Sequence, residues 1–148
     1  MSPDGSKRGS PDEWMAHAIS DLRLARLAAG DALVQREQAC FHAQQAAEKA
    51  IKAVLLFKKT AFPLTHDIET LLEIAEKIGI PLSDKLQEAS LLTPYAVETR
   101  YPGTWADVTE EDLNEAIRVA ETTVTWANEI CNMSPRNETP NNLQESDS

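Results

Sequence analysis

The stretch FHAQQAAEKAIKAVLLFKK, from Phe41 to Lys59, decides the fold class of this chain. At about 100° of turn per residue, Ala43, Ala46, Ala47, Ala50, Val54 and Phe57 fall on one side of a helix that runs from about Arg36 to Lys59. Small residues on that side let a neighbouring helix come close. Leu55 and Leu56 project away from it and Phe41 lies nearly opposite. The helix is therefore expected to be covered from more than one direction, as the centre of a bundle or as part of a dimer interface. Lys58 and Lys59 stand in its last turn, where the helix dipole favours positive charge.

Helices are expected on both sides of it. Upstream, Ser10, Pro11 and Glu13 make a capping box with proline at the first helical position, followed by Trp14, Ala18, Leu22, Ala25 and Ala29 at near-helical spacing up to Gly30. Downstream of Pro63, the segment DIETLLEIAEKIG places Ile68, Leu71, Leu72, Ala75 and Ile78 on one face and stops at Gly79. Ser83 caps a fourth helix carrying Leu86, Ala89 and Leu92, which Pro94 kinks or ends. After the irregular YAVETRYPGTWADVT, Thr109 and Asp112 form a second capping box, and Leu113, Ala116, Ile117, Ala120, Val124, Ala127 and Ile130 form a long apolar stripe. The pattern predicts an all-α fold of five helices without a convincing strand.

The chain of 148 residues has the length of one domain. Residues 1–10 and 134–148 are polar and poor in large aliphatic side chains, and both ends are expected to be disordered, leaving a domain over 11–133. No apolar run reaches the length of a membrane span and the first residues lack the core of a signal peptide, so a cytoplasmic protein is expected. Cys40 and Cys131 are far apart in helical segments, which predicts buried reduced thiols. The net charge of −10 opposes non-specific attraction to a phosphate backbone. Removing the ends, which carry +1 and −2, leaves −9 on the body, so the acidity belongs to the fold.

No glycine-rich phosphate loop, zinc motif or serine elbow is present, and neither metal nor cofactor is expected. What remains is a set of polar residues. His42, Gln45 and Lys49 share one side of the central helix, while Glu48 and Lys52 form an i to i+4 pair of the kind usually found on a helix surface. His42 is either a hydrogen-bonded packing residue or a base. At the entry to the third helix, Thr65 or Asp67 serves as cap and His66 is placed to bond a backbone carbonyl. Arg100, beside Tyr95 and Tyr101, has the chemistry to receive a phosphate or stack on a base, and equally to pair with Glu98 or Asp107.

Taken together, FHAQQAAEKAIKAVL, FPLTHDIETLL, YAVETRYPG and TEEDLNEAI resemble the HEPN domain family in the order in which that family shows them, over roughly Trp14 to Ile130. The resemblance implies an up-and-down bundle of four main helices with a short fifth, commonly a homodimer. It also implies a minimal nucleotidyltransferase as partner, in some pairs as toxin and antitoxin, with the HEPN protein a metal-independent RNase and its partner adding AMP to a tyrosine. Catalytic members carry an arginine, a polar residue directly after it, and a histidine four to six positions further on. The arginine holds the scissile phosphate and the histidine moves a proton.

Here Tyr101 follows Arg100, and the window for the histidine holds Thr104, Trp105 and Ala106. The resemblance with that departure implies a non-catalytic dimeric module that binds a nucleotidyltransferase. Arg100, Tyr101, Tyr95, His42 and Lys49 are its candidate nucleotide or phosphate contacts. The alternatives are an RNase toxin that joins Arg100 to a histidine from elsewhere, with RNA as substrate, and a nucleotide sensor.

Overall fold

The computed structural model describes residues 9–96 and 107–132, and every structural statement here concerns those residues. Helix α1 spans Pro11–Ala29. Its capping box is formed as the sequence predicts: the Ser10 hydroxyl accepts from the Glu13 amide at 3.2 Å, and the Glu13 carboxylate accepts from the Ser10 amide at 2.9 Å. Helix α2 spans Arg36–Phe57, and thirteen of its 22 residues are buried, which makes it the centre of the bundle. Ala39, Ala43, Ala46, Ala47, Ala50 and Ala53 on it are essentially inaccessible, and α1 and the last helix pack closely against these small side chains.

Helix α2 ends two residues earlier than the sequence suggests. Lys58 is the cap, and Lys59 turns into the left-handed region at φ 57°. The Thr60 amide then donates to Leu55 O at 2.8 Å and the Lys59 amide to Leu56 O at 2.9 Å, a paired closure that satisfies the last carbonyls. Helix α3, Ile68–Lys77, closes in the same way with Gly79 at φ 93°, where the Ile80 amide donates to Ala75 O at 3.1 Å. Glycine takes that conformation without strain; Lys59 does not.

Asp67 caps α3 by accepting from the Glu69 amide, and Thr65 accepts in turn from the Asp67 amide. Helix α4 is one turn, Asp84–Gln87, capped by Ser83, and it tightens into a 3-10 segment over Glu88–Ala96 that contains Pro94. Proline therefore sits inside this segment without ending it. Helix α5, Glu110–Cys131, begins at the Thr109 and Asp112 capping box. No strand occurs among the described residues. The core joins Met15, Ala18 and Leu22 of α1, Ile51, Val54 and Leu55 of α2, Ile68 and Leu71 of α3, Leu86 and Leu92, and Val119, Ala120 and Val124 of α5. Cys40 and Cys131 are both buried, and no described helix is long and apolar enough to cross a membrane.

Candidate functional site

Polar side chains line two strips of α2, and each strip closes on a buried carboxylate. On the side facing α1, Asp21 is 8% exposed. Its Oδ1 meets His42 Nδ1 at 3.1 Å, and its Oδ2 accepts from Lys49 Nζ at 2.7 Å. His42 and Lys49 lie seven positions apart on α2, two turns on one face, so a single carboxylate on α1 reaches both. The ring of His42 also borders a small hollow of about 230 Å³ between Leu24, Ala28, Val34 and Phe41.

On the other strip Glu48, only 3% exposed, collects more partners. It accepts from Gln44 Nε2 at 2.9 Å and from Lys52 Nζ at 2.8 Å. His66 Nδ1 lies 3.0 Å from one of its oxygens and 3.2 Å from the other. Lys52 is buried at 6% exposure, and its ammonium stands 5.6 Å from the Trp14 ring centre and 5.5 Å from that of Phe62. Those two rings meet edge to face. The cation thus has a carboxylate on one side and aromatic faces on the other, which compensates its loss of water. Gln45 extends the network by donating to Gln44 Oε1 at 2.8 Å.

The expectation of a surface pair for Glu48 and Lys52 is therefore corrected: the i to i+4 spacing is right, but Trp14, Phe62 and the segment before α3 cover it. His66 also differs from expectation. Its ring goes to the Glu48 carboxylate rather than to a backbone carbonyl, and its own carbonyl accepts from Gln44 Nε2 at 3.4 Å. With Nδ1 turned to a buried carboxylate and a side chain 67% exposed, this imidazole has a fixed orientation and an accessible edge.

Of the predicted site residues, His42 and Lys49 come together on Asp21, and Tyr95 is half-buried against the core at the end of the 3-10 segment. Arg100 and Tyr101 lie outside the described residues, as do Glu98, Thr104, Trp105 and Ala106. The segment leading to them is anchored near His66, because the Ile68 amide donates to Thr93 Oγ1 at 3.2 Å. Asp21 was not singled out by its residue type. Its signal was positional, since it falls between Ala18, Leu22 and Ala25 on the apolar stripe of α1.

These elements define an all-α, up-and-down bundle built around a central helix whose polar strips bind it to its neighbours. The family model of the HEPN domain matches residues 11–130, and the chain belongs to that family. The crystal structure of an archaeal HEPN homologue is similar at 32% identity and a TM-score of 0.66, covering 82% of this chain and 98% of that one. The crystal structure of a protein from Thermus thermophilus is similar at 29% identity and a TM-score of 0.70, covering 81% of this chain and 97% of that one. No protein of curated function matches the chain.

Proposed function

We propose that the chain is a non-catalytic HEPN module that forms a homodimer and docks a partner nucleotidyltransferase, with a nucleotide at Arg100 and Tyr101 as its candidate ligand. The observation that carries this is the place of the histidines. The sequence holds three, His17, His42 and His66, and none falls four to six positions after Arg100, where RNases of the family carry theirs. Support also comes from what the buried carboxylates do: Asp21 of α1 and Glu48 of α2 spend their charge on joining parts of the bundle. Co-expression with the product of the neighbouring gene, followed by size-exclusion chromatography with light scattering, tests the proposal. A dimer that carries the nucleotidyltransferase through the column is expected. A monomer that retains neither protein nor nucleotide overturns it.

One observation favours a second reading, an RNase toxin. The His66 imidazole is oriented by a buried carboxylate and exposed, and two residues further on the Ile68 amide donates to Thr93, in the segment that precedes Arg100 in the chain. A ring held in that way suits proton transfer, with the arginine supplying the charge that a cleaved phosphate needs. Expression in cells of the wild type, Arg100→Ala and His66→Ala separates the two. Equal growth and intact RNA in all three remove the RNase.

A further inference from the structure

At the end of the bundle away from the Asp21 cluster, the C-terminal turns of α2 and α5 and the turn after α3 enclose an open groove of about 1020 Å³. Phe57, Ile78, Ile80, Pro81, Trp126 and Ile130 form its apolar wall. Several of these large side chains are only partly covered by the fold, and Ile78 is 41% exposed. Apolar surface of this kind, held on rigid helix ends, is what a docking partner buries.

The charges at the edge narrow the kind of partner. Lys58 lines the groove with its ammonium 5.9 Å from the Phe57 ring centre, while Lys59 and Lys77 adjoin lining residues in sequence. None of the three has a carboxylate partner among the described residues. Four other cations among the described residues of this acidic chain are engaged with carboxylates: Arg26 with Glu121, Arg118 with Glu88 and Glu115, Lys49 with Asp21, and Lys52 with Glu48, while Arg36 bonds the Val108 carbonyl and Arg23 and Lys85 form no ion pair. Lysines at the ends of α2 and α3 also suit the helix dipoles. That accounts for where they stand and leaves their donors open. Lys59 moreover occupies the left-handed position that glycine takes at the matching end of α3. On the acidic side, Glu76 and Glu129 adjoin lining residues in sequence, and Asp12 of α1 acts with Lys58 on the neighbouring Cys131 thiol.

We infer that this groove docks an amphipathic helical segment of the partner protein, one whose apolar stripe is flanked by carboxylates. The inference rests on the partner-docking function proposed above. Apolar residues of the segment pack on Trp126, Phe57 and Ile78, and its carboxylates reach Lys58, Lys59 and Lys77.

The test uses a defined probe, a synthetic helical peptide with leucines at i, i+3, i+4 and i+7 flanked by glutamates, and its twin with lysines in place of the glutamates. Amide NMR of the full chain is expected to show the glutamate peptide shifting the Trp126 indole and the Gly79 and Ile80 amides. Its Kd should rise about tenfold or more in the triple variant Lys58→Glu, Lys59→Glu, Lys77→Glu, while the lysine peptide leaves these signals in place. Ile78→Asp, which alters the wall and leaves the lysines, should weaken binding as well. Unchanged melting of each variant shows that folding is intact. Shifts of the same size with both peptides, shifts elsewhere, or none at all overturn the inference. Capture of the nucleotidyltransferase by wild type and triple variant alike also overturns it and leaves the docking module standing. Capture of no nucleotidyltransferase by either chain, with the peptide still bound at the groove, removes the module and not the groove.

Discussion

Asp21 and Glu48 are both buried carboxylates on the α1–α2 hairpin, yet they are satisfied in different ways. Asp21 finds both partners on another helix, His42 and Lys49 of α2. Glu48 finds Gln44 and Lys52 on its own helix, one turn to either side, and only His66 from beyond it. The cations differ in depth as well: the Lys49 side chain is 24% exposed and that of Lys52 7%. Water reaches the first and barely reaches the second. Two ion pairs of nearly equal length therefore carry unequal consequences, because what decides the cost of breaking a pair is the charge left behind.

The largest effect follows for Glu48→Ala. It leaves the Lys52 ammonium between Trp14 and Phe62 without a counter-charge, and a loss of about 3–5 kcal/mol in unfolding free energy is expected from urea denaturation. The double variant Glu48→Leu with Lys52→Met should recover part of that loss, since both charges are removed together, while Gln44 Nε2 keeps only the His66 carbonyl as acceptor. A loss under about 1 kcal/mol for Glu48→Ala would place the pair with exposed ones and break the contrast with Asp21.

This contrast also marks the boundary of what the sequence tells. The helices were legible because their signals are local: the capping boxes at Ser10 and Thr109, the glycine stop at Gly79, the apolar stripes of α1, α3 and α5. The spacing of Glu48 and Lys52 was legible for the same reason. Their burial was not, because Trp14 and Phe62, which cover them, lie 34 and 14 residues from Glu48 in the chain, and nothing in an i to i+4 pair reports what packs over it. Asp21 shows the same limit from the other side. Its position within an apolar stripe was visible, but its partners depend on the rotation of α2 against α1. Lys59 ended α2 early because the closing turn there accepts a strained residue, which residue type alone does not announce.

A middle effect is expected for Asp21→Ala. Lys49 and His42 lose their shared acceptor, but both side chains reach solvent, so water replaces part of what is removed. About 1–2 kcal/mol is the expected cost by urea denaturation. A cycle with Lys49→Ala should show that the two substitutions are not additive, with the double variant less destabilised than the sum of the singles. Additive losses would mean that Asp21 acts on packing alone, and the cross-helix tie would fall.

The smallest effect belongs to His66→Ala, and its smallness is what makes it informative. The ring is largely in solvent, and Glu48 keeps Gln44 and Lys52 when it is gone. The bond from Gln44 to the His66 carbonyl involves backbone and survives the substitution. A cost under about 1 kcal/mol in a thermal or urea melt is therefore expected, within the range of exposed pairs. A loss of about 3 kcal/mol or more, on the scale of breaking a buried pair, would show that the imidazole holds the loop onto α2 and that Glu48 depends on it. With the expected small loss, any large change in RNA integrity or growth on His66→Ala is assigned to the chemistry of the ring. The same substitution thus separates a histidine that is merely parked on a buried carboxylate from one that is poised by it.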